Sequence, residues 1–206
     1  LGQKSGLFLK VTSKGVSGHS AYPNRGENAV LKMMGFITNL LTTFPTPNKN
    51  STADDLFDQI TVSPNRITGG TGANVIPDFC SVQIDIRIPP NTSRQEVVNK
   101  IEALATKHNV ETKADLLGQG WLLNKDTRLF SVAEKCTSKV TGSPVNFIRK
   151  MGTNDGKYYS NSNSEIINIG PGDPKLSHTP HETVLKKQLV MARLIYFNIA
   201  NELSTP

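Results

Sequence analysis

The stretch CSVQIDIRI, residues 80–88, decides the fold of the first half of this chain. Every second residue in it is apolar, and these residues are Cys80, Val82, Ile84, Ile86 and Ile88. The residues between them are polar and include Asp85 and Arg87. Since side chains alternate between the two faces of a strand, the pattern predicts a strand with one face on a hydrophobic core and one polar face.

The segments on either side of this strand show two further periodicities. Residues 6–13, 59–67 and 110–117 have the patterns of strands, whereas apolar residues three and four apart predict helices over 30–41 and after residue 92. Thr92 and Gln95 form a capping-box pattern that predicts the start of the second helix. The order β-α-β-β-α-β is that of a ferredoxin-like unit, a four-stranded sheet with helices on one face. Residues 5–117 are therefore predicted to form a complete small domain.

Residues 118–206 alternate helices and strands. We expect a helix over 126–140, strands over 145–149 and 165–169, and a last helix reaching about residue 203. Thr179 and Glu182 form another capping-box pattern, with Pro180 at the favoured first position of this last helix. Such alternation predicts a parallel sheet in an α/β domain, but two strands are too few for a sheet buried on both faces. We therefore expect only the C-terminal segment of an α/β catalytic domain here.

Composition excludes several classes of protein. The hydrophobic content of 36% is ordinary for a soluble globular protein, and no apolar run approaches the length of a membrane span. The net charge is +6, but lysines and arginines are scattered singly, so we expect no nucleic-acid partner and no membrane partner. Cys80 and Cys136 fall on apolar faces and are predicted to be buried thiols, in keeping with a cytoplasmic location.

Five sequence blocks carry a resemblance to a known family. They are GVSGHSAYPNRGENAV (15–30), GANVIPD (72–78), DIRIPP (85–90), GTNDG (152–156) and SHTPHE (177–182). Their order resembles that of the di-zinc amidohydrolases and metallopeptidases, a family that includes acetylornithine deacetylase, succinyl-diaminopimelate desuccinylase, acetyl-lysine deacetylase and carboxypeptidase G. In that family a ferredoxin-like lid, which also dimerises, is inserted into an α/β catalytic domain. The resemblance therefore implies that residues 5–117 are the lid and dimerisation domain of a homodimer.

The block SHTPHE implies a metal ligand. His178 occupies the position of a zinc-ligating histidine in the resemblance, whereas Glu182 has a sufficient role in a capping box and His181 fits a surface histidine. A pair of zinc ions, which cobalt can replace, needs about four ligands per ion and a carboxylate base. The family takes those groups from the segment that precedes the lid. The chain alone is therefore expected to be inactive.

The block that contains His19 implies a hydrogen-bond donor to the oxyanion of the reaction intermediate. In the resemblance this histidine reaches from the lid of one subunit into the active site of its partner, where it would stabilise a tetrahedral intermediate. A solvated loop histidine is the alternative.

The resemblance implies that four further residues bind the substrate. Arg87 and Asn74 would hold a substrate carboxylate, with Gly152 and Thr153 lining the pocket. The alternatives are a solvated arginine paired with Asp85 and, for GTNDG, a helix N-cap.

These expectations combine into one function. The complete enzyme would be a zinc-dependent hydrolase that deacylates an N-acyl amino acid, with the stretch GPGDPKLSHTPHE closest to the deacetylase branch. The alternatives are an exopeptidase of the same fold and a truncated, non-catalytic dimerising or binding module. The sequence leaves the acyl group and the amino acid of the substrate open.

Overall fold

A computed structural model describes residues 1–45, 47–162 and 164–205. The chain is a mixture of α-helices and β-strands. The strands are β1 (Gly2–Gln3), β2 (Ser5–Lys14), β3 (Thr61–Gly69), β4 (Phe79–Ile88), β5 (Val110–Leu117), β6 (Trp121–Leu122) and β7 (Arg149–Lys150). The helices are α1 (Ala29–Thr43), α2 (Ala53–Asp58), α3 (Arg94–His108), α4 (Arg128–Thr141) and α5 (Lys186–Ser204).

The main sheet has four antiparallel strands in the order β3-β4-β2-β5. Strand β2 is central and pairs with β4 on one side and β5 on the other, for example Leu9 with Ile84 and with Ala114. One face of the sheet carries α1 and α3, and the other face carries polar side chains. This is the split β-α-β arrangement that the sequence predicts.

The hydrophobic core lies between the sheet and these two helices. It includes Leu7, Leu9 and Val11 of β2, Met33, Phe36 and Leu40 of α1, Ile84, Ile86 and Ile88 of β4, and Val97 and Ile101 of α3. The predicted alternation is confirmed, because Leu7 is fully buried while its neighbour Phe8 is 46% exposed. Cys80 and Cys136 are free, buried thiols, as expected.

The structure differs from the predictions in two places in this half of the chain, at the start of α3 and at α2. Helix α3 follows Ser93 rather than Thr92, because the Ser93 hydroxyl accepts a hydrogen bond from the Glu96 N–H at 3.3 Å. The predicted capping box of Thr92 and Gln95 is therefore wrong by one residue. Helix α2 was not predicted, although Thr52 and Asp55 form a complete capping box at its start.

The chain divides into two compact units. One contains residues Gln3–Trp121 and Arg149–Asn161, and the other contains Leu1–Gly2, Leu122–Ile148 and Ser162–Pro206. Residues 149–161 thus belong to the unit of the main sheet, where the Lys4 N–H donates to the Lys150 carbonyl at 3.2 Å. The division into domains at residues 5–117 and 118–206 stays a prediction.

The structure of the second half of the chain differs from several predictions. Residues 165–169 form no strand, and the strand predicted over 145–149 is reduced to β7. A strand needs partners for its backbone groups, and among the described residues the second sheet consists of three two-residue strands in the order β6-β1-β7. Helix α5 begins at Lys186 rather than near Pro180. Within the described residues, no helix is both long enough and apolar enough to span a membrane.

Candidate functional site

Arg87 is held at one end of β4, on the sheet face opposite the helices. Its Nη2 atom lies 2.7 Å from Asp85 Oδ2, and its Nη1 donates to Thr153 Oγ1 at 2.8 Å. The guanidinium carbon lies 5.9 Å from the centre of the Phe8 ring. The side chain is only 22% exposed. Arg87 is therefore a partly desolvated cation with fixed contacts, and the structure brings together two of the predicted substrate-binding residues.

Two residues of the main sheet unit position the loop that carries Gly152 and Thr153. The fully buried Gln3 accepts a hydrogen bond from the Asn154 N–H through its Oε1 at 3.0 Å. Gly6, the strand partner of Arg87, leaves room for the loop, since a Cβ there would lie 3.2 Å from Thr153 Oγ1. Asn154 accepts from the Gly156 N–H and caps a 3-10 helix, which confirms the predicted cap.

His19 and Asn74 meet at the other end of the sheet. Residues His19 and Val75 form an isolated antiparallel bridge, and the Ser20 N–H donates to the Asn74 carbonyl at 3.0 Å. Both predicted site residues are exposed. The Ala21 N–H donates to His19 Nδ1 at 3.1 Å. Because Nδ1 acts as an acceptor, the neutral imidazole carries its proton on Nε2 and presents a hydrogen-bond donor to solvent.

The two pairs of site residues lie far apart within one chain. Asn74 precedes Phe79, the first residue of β4, whereas Arg87 is close to its last residue. Eight residues of extended strand span roughly 27 Å. The structure therefore does not place Asn74 beside Arg87 in the same chain, although both lie on one sheet unit.

His178 lies in the other unit, in an unusual backbone conformation. It is exposed, and its φ of 63° is in the left-handed region that few non-glycine residues adopt. Its N–H donates to Glu182 Oε2 at 3.1 Å. The predicted capping box of Thr179 and Glu182 is wrong, because the Glu182 N–H donates to the Thr179 carbonyl in a turn and the helix begins later.

The described residues do not form a metal centre by themselves. Nowhere in this part of the chain do three His, Cys, Asp or Glu side chains come together as metal ligands. A lone exposed histidine such as His178 lacks the additional ligands that a zinc ion requires. The donor set present here therefore does not fit a metal pair.

Sequence reasoning missed a charged cluster beside Arg87. Lys4 is fully buried, and its Nζ donates to the carbonyls of Leu56 and Gln59 at the end of α2. Burial lowers the pKa of Lys4 to about 8, Asp58 opposes this shift, and the charge of Arg87 adds to it. A buried lysine has no signature in an alternating strand pattern, because its partners lie more than fifty residues away in sequence.

Arg149 belongs to the same cluster. Its guanidinium lies 2.8 Å from Asp54 and 2.7 Å from Asp58 of α2, and 4.7 Å from the centre of the Phe57 ring. Asp54 and Asp58 are four residues apart and therefore lie on one face of the helix. This spacing is the sequence signal that could have predicted a basic partner such as Arg149.

Comparison with known proteins supports this architecture. The family described as "Peptidase dimerisation domain" (M20_dimer) matches residues 1–113. Succinyl-diaminopimelate desuccinylase from Marinobacter nauticus is 27% identical over 204 residues, which cover 98% of this chain and 52% of that protein. The protein of the same name from Hahella chejuensis is 26% identical over 205 residues, which cover 98% and 52%. The chain thus spans about half the length of these curated relatives.

Solved structures show the same fold at low identity. Aminopeptidase PepT from Bacillus cereus superposes with a TM-score of 0.76 at 16% identity, covering 99% of this chain and 53% of its own. An M20 family metallo-carboxypeptidase from Sulfolobus solfataricus gives a TM-score of 0.72 at 12% identity, covering 98% and 58%. The family match extends over more than half of the chain, and the fold of the matched region is the split β-α-β sheet described above. The chain belongs to the M20 peptidase dimerisation domain family.

Proposed function

We propose that this chain is part of a metal-dependent amidohydrolase that removes the acyl group from an N-acyl amino acid. The chain contributes a lid and dimerisation domain together with a C-terminal segment of the catalytic domain. Names of the curated relatives support hydrolysis of a linear amide, since both are succinyl-diaminopimelate desuccinylases. The observation that carries the proposal is the fixed, partly buried guanidinium of Arg87 against Thr153.

Arg87 suits recognition of a substrate carboxylate. A guanidinium has five N–H donors, and the contacts with Asp85 and Thr153 occupy two of them. Its partial burial strengthens a charge-assisted hydrogen bond to a carboxylate, because less water competes for the charge. The backbone groups of Gly152 and Thr153, next to the guanidinium, complete this part of the substrate pocket.

The separation of the two residue pairs favours a site shared between two subunits. His19 and Asn74 lie at one end of β4, and Arg87 and Thr153 lie at the other. A homodimer formed through this domain can bring the first pair of one subunit to the second pair of its partner. There, the Nε2–H of His19 would donate to the oxyanion of a tetrahedral intermediate.

The metal ligands in this proposal come mainly from outside the chain. His178 would supply one ligand to zinc or cobalt, and the remaining ligands would come from the segment that the longer relatives carry in addition. The described residues bring no three ligands together, so under this proposal the chain supplies carboxylate binding, oxyanion stabilisation and one metal ligand.

Mixed dimers test the shared site. In the full-length enzyme, His19→Ala subunits mixed with Arg87→Ala subunits should regain part of the activity, because one site of each mixed dimer then has an intact His19 and an intact Arg87. Each variant alone should be weak, since losing one oxyanion donor typically lowers kcat by about 10² to 10³. An absence of recovery after verified subunit exchange would place both residues in the same site of a single chain and refute the shared arrangement.

An exopeptidase is the second candidate, because Arg87 would bind the C-terminal carboxylate of a peptide equally well. Assays of one full-length preparation on a dipeptide and on the N-acyl form of its C-terminal amino acid separate the two. A faster turnover of the dipeptide would favour the exopeptidase.

A further inference from the structure

Both ends of the loop that carries Thr153 are attached to one short segment, Gln3 and Lys4. The Lys4 N–H donates to the Lys150 carbonyl at 3.2 Å, and Gln3 Oε1 accepts a hydrogen bond from the Asn154 N–H at 3.0 Å. Gln3 and Lys4 are fully buried, so these attachment points are part of the folded core of the unit. Three residues lie between the two attachment points. A shift at either end of this loop therefore moves Thr153.

Helix α2 is fixed to the same segment. The Lys4 ammonium group donates to the carbonyls of Leu56 and Gln59 at the C-terminal end of the helix, and the Phe57 side chain is buried. A helix of six residues is too short to be stable in isolation. These contacts make α2 a fixed part of the main sheet unit, to which other groups can be anchored.

Arg149 connects α2 to the loop. It precedes Lys150 in β7, and its guanidinium donates from Nε to Asp54 at 2.9 Å and from Nη1 to Asp58 at 2.7 Å. The guanidinium carbon also lies 4.7 Å from the centre of the Phe57 ring. Exposed ion pairs contribute little to stability, but a planar fork held by two carboxylates and a ring has a fixed direction. The contacts of Arg149 therefore fix the start of the loop relative to α2.

The orientation of Arg87 depends on this loop. Its Nη2 contacts Asp85, two residues away on the same strand, and its Nη1 donates to Thr153 Oγ1 at 2.8 Å. A single contact leaves a planar guanidinium free to rotate, whereas two contacts at different nitrogens fix its plane. A displacement of about 1 Å in a group that positions a substrate can cost about 10²-fold in rate. A continuous set of contacts thus joins α2 to Arg87 through Arg149 and Thr153.

We propose that Arg149 is a positioning residue that keeps Arg87 in the orientation that binds a carboxylate. Its contacts with α2 hold the start of the loop, and Thr153 within the loop holds the Arg87 guanidinium. Arg149 acts through Arg87 and does not touch the substrate. The carboxylate in this proposal rests on the proposed function, whereas the coupling between Arg149 and Arg87 rests on the contacts within this chain.

Two substrates of the full-length enzyme test this role. Arg149→Met should lower kcat/KM for an N-acyl amino acid by about tenfold, mainly through a higher KM, because a misplaced Arg87 binds the carboxylate less well. For the corresponding N-acyl amino amide, kcat/KM should change by less than about twofold. A purely structural role would reduce the amount of active enzyme and lower both values equally. Equal losses, or no loss for the acid, would overturn the proposal.

A double-mutant cycle tests whether Arg149 acts through Arg87. Without the Arg87 guanidinium there is nothing for Arg149 to orient. Arg149→Met combined with Arg87→Ala should therefore lower kcat/KM for the acid by no more than about twofold beyond Arg87→Ala alone. Losses that multiply in the double variant would show two independent effects and would refute the positioning role.

Matched variants approach the same contact from α2. Asp54→Asn combined with Asp58→Asn changes two exposed carboxylates, so it should fold even if Arg149→Met does not, and it should reproduce the loss specific to the acid. Lys135→Met is the control, because it breaks another exposed ion pair, with Glu202 in the other unit. Its ratio of acid to amide turnover should equal that of the wild type. An unchanged ratio in the aspartate variant, or the same change in Lys135→Met, would contradict the proposal.

Nuclear magnetic resonance of the isotope-labelled chain separates this proposal from the proposed function, because it needs no substrate. Arg149→Met should shift the signals of the Arg87 Nε–H and the Thr153 amide, whereas Lys135→Met should leave both unchanged. If these signals shift but Arg87→Ala leaves the ratio of acid to amide turnover unchanged, the carboxylate role of Arg87 fails and the coupling stands. If Arg87→Ala lowers the ratio but Arg149→Met neither lowers it nor shifts the signals, the positioning role alone is overturned.

Discussion

The buried Lys4 predicts an unusual dependence of stability on pH. Burial of its ammonium group holds the pKa at about 8 in the folded chain, against 10.5 for an unperturbed lysine. Between these pH values the unfolded chain binds more protons than the folded chain, so the free energy of unfolding rises with pH. The cost of burying the charge is fully present below about pH 8 and disappears as the pH rises toward 10.5.

The magnitude follows from the size of the shift. One pKa unit corresponds to about 1.36 kcal/mol, so the contribution of Lys4 to the free energy of unfolding should increase by about 2 to 3 kcal/mol between pH 7 and pH 10. Burial also raises the pKa of the Cys80 thiol, and deprotonation of that thiol at high pH acts in the opposite direction. A comparison with a variant that lacks only the Lys4 charge cancels this second effect.

Lys4→Met is that variant, because methionine is an unbranched side chain close to lysine in length and carries no charge. It leaves the Leu56 and Gln59 carbonyls without their donor, which costs about 1 to 3 kcal/mol per group at every pH. Urea unfolding of both proteins at pH 7, 8, 9 and 10 should show a stability difference that grows in favour of the wild type. Lys100→Met controls for the replacement itself. Parallel profiles of wild type and Lys4→Met would refute the reasoning.

Three further predictions follow from the candidate site. Dialysed with zinc, this chain should retain well under two equivalents by plasma emission, because its described residues bring no three ligands together; two equivalents that survive a weak chelator would contradict this. In the full-length enzyme, Arg87→Lys and Arg87→Ala should lower kcat/KM for an N-acyl amino acid by more than about tenfold, whereas kcat/KM for the corresponding N-acyl amino amide should hardly change. Equal losses for the acid and the amide would mean that Arg87 has a structural role. Arg149→Met should lower the free energy of unfolding by about 1 kcal/mol at low salt and less at high salt, since Asp54 and Asp58 are exposed partners; a loss independent of salt would assign the effect to stacking on Phe57.

The sheet of the first half was predictable because its two faces differ in polarity. Alternation in β4 placed Arg87 on the face away from the helices, and the structure confirms this. The contact of Arg87 with Thr153 was not predictable, because 66 residues separate them and no periodicity links them. The loop around Thr153 is positioned by Gln3 and Gly6, which also lie far from it in sequence.

Short capping signals were less reliable than periodicity. Thr179 and Glu182 satisfy the capping-box pattern, yet in the structure they form a single turn, because the same hydrogen bonds across three residues stabilise turns and helix starts alike. The equivalent signal at Thr52 and Asp55 does start a helix, α2, which is six residues long and buries Phe57. We infer that a capping-box pattern starts a helix where an apolar residue after the cap is buried.

At His178, selection for stability and selection for activity favour different residues. A left-handed conformation costs an L-residue other than glycine roughly 1 to 2 kcal/mol, so Gly at this position would relieve strain and make the chain more resistant to heat. Under the proposed role, the same change removes a metal ligand. A variant library enriched only for survival of heating should drift away from histidine at position 178, whereas one enriched for turnover should retain it. The residue recovered at position 178 would therefore show whether a selected variant had been under selection for stability or for activity.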